Sequence, residues 1–183
     1  MRISLCTCVI ALAATFMTPR SATATVLLPA DFTTVVTEST IIVHGRVVDV
    51  TSVLAGPRRT IESRVTVDVI DAVKGASTRS VTFRVPNGQV GRYRRILVGA
   101  PEFEEGDELF VFLHGRAPAV PTLFGLSQGV YRVSRSGGTA MVAPPVMARG
   151  VSAERVVRGD PARVPIAVEA FAREIRAVLG RRR

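Results

Sequence analysis

Thr60-Ile61-Glu62-Ser63-Arg64-Val65-Thr66-Val67-Asp68-Val69-Ile70-Asp71-Ala72-Val73 alternates apolar and polar positions through Ile61, Val65, Val67 and Val69. That period of two sends one face of a strand into a core and the other into water. The same chemistry extends outward from it: Ile41 to Val50 is β-branched and alternating, and Ser80 to Val85 continues the pattern. Ala55-Gly56-Pro57, Lys74-Gly75 and Pro86-Asn87-Gly88 supply turn residues between these runs. A fourth run, Tyr93 to Val98, precedes an acidic turn around Gly106 and the most apolar strand, Leu109 to Leu113. Gly129 to Val133 and Thr139 to Val142 flank Ser136-Gly137-Gly138 and read as a hairpin.

Helices bracket the strands. Pro29 to Ser39 carries Asp31 as N-cap and places Phe32, Val35 and Val36 on one face. After Pro144-Pro145 the strand signal stops, and Val151 to Arg163 reads as a surface loop. A second helix is expected over 165–180, with Pro165 in its first turn, an apolar stripe of Val168, Phe171, Ile175, Val178 and Leu179, and Gly180 as C-cap. Glu169 and Arg173 have the spacing of an i,i+4 ion pair, and Arg181 to Arg183 form a basic end. The expected fold is mainly β: a small OB-like barrel, closed or partly open, of five to seven strands with a short N-terminal helix and an amphipathic C-terminal one.

The N-terminus has the three parts of a signal peptide: Arg2, the apolar run Ile3 to Met17, and the small-residue site Ala22-Thr23-Ala24. The apolar run falls short of the roughly 20 residues that span a bilayer. Residues 1–24 are therefore expected to be removed, leaving 25–183 as one periplasmic or secreted domain without a transmembrane segment. Cys6 and Cys8 are the only cysteines, and both leave with the leader, so the mature chain has no thiol and no Cys-x-Cys metal site. Arg2 and Arg20 leave too, and the net charge falls from +9 to +7. Lys74 is the only lysine among the basic residues, a bias expected from a GC-rich genome rather than from function. A basic exported protein still suits an acidic surface.

Gly125-Leu126-Ser127-Gln128-Gly129 matches the G-x-S-x-G of a nucleophile elbow, but Val130 to Val133 after it is a strand where an elbow needs a helix. Both histidines, His44 and His114, precede the serine, and the chain is too short for two chymotrypsin-like barrels. The glycines are read as serving a turn and a bulge. His44 and His114 each sit on a strand before a glycine, and two imidazoles alone do not make a zinc site. Glu102, Glu104, Glu105, Asp107 and Glu108 are dense in oxygen but lack EF-hand spacing, and read as a solvated turn. Arg92-Tyr93-Arg94-Arg95 mixes cation and aromatic, yet one ring is a poor stacking platform for nucleic acid.

The features Ile41-Ile42-Val43-His44-Gly45-Arg46-Val47, Val69-Ile70-Asp71-Ala72-Val73-Lys74-Gly75, Arg84-Val85-Pro86-Asn87-Gly88, Gly99-Ala100-Pro101, Gly106 to Leu113 and Gln128 to Val133 resemble, in this order, a family of exported bacterial single-domain proteins of unknown function. More distantly, an entry segment, a small barrel and a C-terminal helix resemble the OB-type barrels of netrin-like domains and tissue inhibitors of metalloproteinases. Those inhibitors chelate zinc through an N-terminal cysteine; a mature chain beginning at Thr25 has none, so the resemblance carries architecture only.

The functional expectation is an exported, non-catalytic module that recognises another exported protein or an extended ligand on a barrel face or sheet edge. His44, His114, Arg92, Tyr93, Arg94 and Arg95 are its candidate ligand-binding residues. No catalytic residue, metal or cofactor is assigned, and nucleic acid is not the expected partner. The alternative is a small hydrolase that gathers His44, His114 and the nearby carboxylates into one pocket.

Overall fold

The computed structural model describes residues 30–76, 78–136, 138–145 and 163–181. The expected leader and most of the expected loop over 151–163 lie outside them. Helix α1 (Phe32–Glu38) is capped by Asp31, whose side chain accepts the Thr34 N–H at 2.8 Å. There follow β1 (Ile41–Ala55), β2 (Thr60–Lys74), β3 (Ser80–Val85), β4 (Gly88–Val90), β5 (Tyr93–Arg95), β6 (Glu108–His114), β7 (Thr122–Leu123), a 3-10 turn (Leu126–Gly129), β8 (Val130–Ser136), β9 (Thr139–Ala143), β10 (Ile166–Ala167) and α2 (Val168–Gly180).

Five strands close a barrel in the order β1-β2-β3-β7-β6 and back to β1. All neighbours are antiparallel except β3 and β7. Closure removes the sheet edges that would otherwise invite pairing. The first half of β6 also pairs with β8, and β9 and β10 extend that wing. β1 and β2 are longer than the barrel needs: β6 pairs with β1 only from Ile41 to Arg46, so β1 beyond Asp49 has β2 as its sole strand partner. A register shift between Val47 and Asp49 resets the alternation, so that Val43 and Val47 face inward, followed by Val50.

Two apolar layers result. Inside the barrel lie Val43, Val47, Val65, Val67, Val81, Phe83, Val85, Leu109, Val111 and Leu113. On the outside, α1 and α2 cover Ile42, Phe110, Phe112 and Tyr131, and α2 inserts Phe171 and Ile175 at 1% and 0% exposure. β6 is buried on both faces, which is why it reads as an unbroken apolar run.

Several local expectations are corrected. The C-terminal helix begins at Val168 rather than at 165, because Ile166 and Ala167 pair with Val142 and Met141 of β9. Gly180 is the last helical residue and Arg181 the C-cap. Glu169 and Arg173 do not form an ion pair; Glu174 instead binds Arg163, and Arg176 binds Asp71, so α2 is tied to the body of the protein rather than to itself. The run expected over Tyr93 to Val98 is a strand only to Arg95; it pairs with Gly88–Val90, a short strand that starts at the last residue of the expected turn Pro86-Asn87-Gly88.

Candidate functional site

His44 and His114 are not brought together. Both point outward from the barrel, but His44 is opposite Phe110, and His114 lies four residues further along β6. At roughly 3.3 Å per residue that separates them by about 13 Å. The buried Ile42 and Phe112 occupy the outer face between them. The His44 ring stacks on Phe110 with centroids 4.4 Å apart, and its Nε2 donates to Glu108 Oε1 at 3.1 Å. His114 is exposed, with Nδ1 donating to the Glu38 carbonyl at 3.3 Å.

The acidic turn also divides. Glu108 turns onto the outer face, where its carboxylate accepts hydrogen bonds from His44, from Arg46 at 3.0 Å, and from Arg135 at 2.8 and 2.6 Å. Burial alone would raise its pKa; the hydrogen bonds and charges of Arg135 and His44 outweigh this and hold the carboxyl below its ordinary value. A carboxylate with all its acceptor sites engaged is a structural anchor, not a base. Asp107 binds Arg132, and Glu102 binds Arg94. Among the described residues no group of three or more His, Cys, Asp or Glu could hold a metal ion.

The Gly125 to Gly129 motif is a 3-10 turn. Gly125 takes φ 50, and a Cβ on Gly129 would meet the Phe112 carbonyl oxygen at 2.7 Å. Gln128 is buried, and its Oε1 accepts the Ala30 N–H at 2.7 Å, tying the start of α1 to the β7–β8 link. The two glycines therefore serve packing and a turn.

Arg92, Tyr93, Arg94 and Arg95 form the tip and return strand of the β4–β5 hairpin, which lies across the projecting β1–β2 arm. The Gln89 N–H donates to Ser52 Oγ at 3.1 Å, Ser63 Oγ donates to the Asn87 carbonyl at 2.9 Å, and Arg95 donates to the Ile61 carbonyl at 3.2 Å. Gly88 is required at this crossing, since a Cβ there would stand 2.6 Å from Ser52 Oγ. The Arg92 guanidinium lies 5.1 Å from the Tyr93 ring centroid. Beyond the hairpin the chain leaves Ile96, Leu97 and Val98 in water: Tyr93, Ile96, Leu97 and Val98 are 62%, 72%, 38% and 85% exposed.

On the other side of Arg95 a cleft of about 570 Å³ opens between the β1–β2 turn, the end of β3 and the exit of β7. Glu62, Arg84 and Arg95 bring charge into it, and Leu123, Leu126 and Pro86 give it an apolar wall. Glu62 and Arg84 were missed from sequence, although alternation on β2 and β3 already places Glu62, Arg64 and Arg84 on one face. Comparison with protein-family models, curated proteins and solved structures finds no match to this chain.

Proposed function

We propose that this chain is an exported, non-catalytic binding module that grips another exported protein along the ridge formed by Tyr93, Ile96, Leu97 and Val98. The observation that carries the reading is the exposure of Tyr93 and of the consecutive Ile96, Leu97 and Val98, with Arg92 and Arg94 exposed on either side of Tyr93 in the chain. Leaving several large apolar side chains of one segment in water is costly for a protein that works alone, and apolar patches rimmed by polar groups mark interaction sites. Aromatic and arginine residues are also the usual anchors of interfaces. In this reading residues 1–24 direct export, cleavage after Ala24 leaves Thr25 as the first residue, and the net charge of +7 then left favours an acidic partner surface.

Site-specific photocrosslinking tests the proposal. A photoreactive residue replacing Leu97 should give one discrete adduct with an exported protein, and Ile96→Ser with Val98→Ser should abolish it. The same residue replacing the exposed Ile70 should not give that adduct. Failure to form an adduct from position 97, or an identical adduct from both positions, would remove the ridge as the interface.

A further inference from the structure

We infer that the cleft beside Arg95 is a carboxylate-binding site, in which Arg84 and Arg95 anchor an acidic side chain of an extended polypeptide. The inference rests on the binding-module reading and names the chemistry of the partner. Arg84 Nη1 stands 3.8 Å from Glu62 Oε2, near enough to feel its charge but outside hydrogen-bonding range. The other oxygen of Glu62 accepts Arg64 Nε at 3.2 Å. Glu62 is buried, so it is a fixed counter-charge, whereas the Arg84 side chain is 51% exposed and lines the cleft. Arg95 uses Nη1 on the Ile61 carbonyl, which pins the head while leaving other donors of its fork. A planar guanidinium fork matches a carboxylate bidentately.

Charge and wall chemistry select the class of ligand. Among the described residues that line the cleft, the guanidiniums of Arg84 and Arg95 outnumber the carboxylate of Glu62. The apolar wall lowers the local dielectric and strengthens a pair formed there. Among the described residues that line the cleft none is aromatic. Stacking of a nucleobase or sugar ring therefore finds no aromatic platform there, which favours a polypeptide carrying acidic and aliphatic side chains over nucleic acid or glycan. Arg95 joins this cleft to the hairpin that bears the exposed ridge, so one partner can engage both.

The test is an NMR titration of the mature chain with an acetylated, amidated pentapeptide of alternating Glu and Leu, and with its Gln counterpart, read on arginine Nε–Hε resonances. The acidic peptide should shift Arg84 and Arg95 saturably and more weakly at high salt, and the neutral one should shift neither. Arg84→Gln and Arg95→Gln should each weaken binding about tenfold, while Arg116→Gln leaves it unchanged. Equal binding of the neutral peptide, or shifts that spare Arg84 and Arg95, would overturn the carboxylate site. Tighter binding of a sulfated disaccharide or a single-stranded oligonucleotide would overturn the polypeptide assignment. If peptide binding fails while the Leu97 adduct persists, this inference falls and the ridge stands; peptide binding without the adduct supports the cleft and removes the ridge.

Discussion

The two faces of β6 are filled by different side chains. Leu109, Val111 and Leu113 point into the barrel among valines, whereas Phe110 and Phe112 point out into a cluster with Phe32, Tyr131 and Phe171. The narrow interior of the five-stranded barrel is filled mainly by branched aliphatic side chains, with Phe83 and Phe103 as the rings of that cluster. The gap between a sheet and a helix laid on it is wider, and rings span it. Phe171 reaches Phe110 and Tyr131 at 4.9 Å, Phe32 at 5.5 Å and Phe112 at 6.3 Å between centroids. Closure of the barrel thus depends on many small contacts, and attachment of the helices on a few large ones.

The largest effect expected from breaking that contrast is at the outer face. Phe171→Ala should cost about 4 kcal/mol, and Leu109→Ala on the inner face about 3 kcal/mol, through lost transfer energy and the cavity left behind. Urea unfolding midpoints measure both. A Phe171→Ala midpoint within about 0.5 kcal/mol of wild type would mean that α2 is not docked as described.

Glu108 sits where the outer cluster meets water, and Glu108→Gln should cost about 2 kcal/mol. Its folded carboxyl lies below the ordinary value of 4.5, so the stabilisation it provides is fully present above that pH and is lost as pH falls through the folded value. Wild type should therefore lose stability below pH 4.5 more steeply than Glu108→Gln. Parallel acid-unfolding curves for the two proteins would show that the His44, Arg46 and Arg135 bonds contribute nothing. The smallest effect is at Arg163, whose guanidinium lies 3.5 Å from the Phe32 ring centroid and makes two bonds, 2.8 and 2.6 Å, to Glu174. Arg163→Lys keeps the charge but loses the flat stack and the fork, and should lower stability by about 1 kcal/mol. An unchanged midpoint would assign the contact to the aliphatic stem alone.

The candidate site was legible only in part. Arg92 to Arg95 stood out as a basic and aromatic run, and the structure places it on an exposed hairpin. The likeness of His44 and His114, each before a glycine, carried no information about their separation, because strand register sets that. Glu62 and Arg84 are far apart in the chain and meet only because Ser63 pairs with Val85 and Arg64 with Arg84.

Local chemistry in the chain was enough for the long strands, for the Asp31 cap, for the apolar stripe of α2 and for the barrel class, since periodicity and capping act over one or two turns of structure. β7 and β10 have two residues each, too few to show a period, and exist only because a partner strand lies beside them. Such pairing also moved the start of α2 past Pro165, locked His44 onto Glu108 and opened the cleft at Arg84. Each of these depends on hydrogen bonds and charges between segments distant in the chain, whose meeting no local preference encodes.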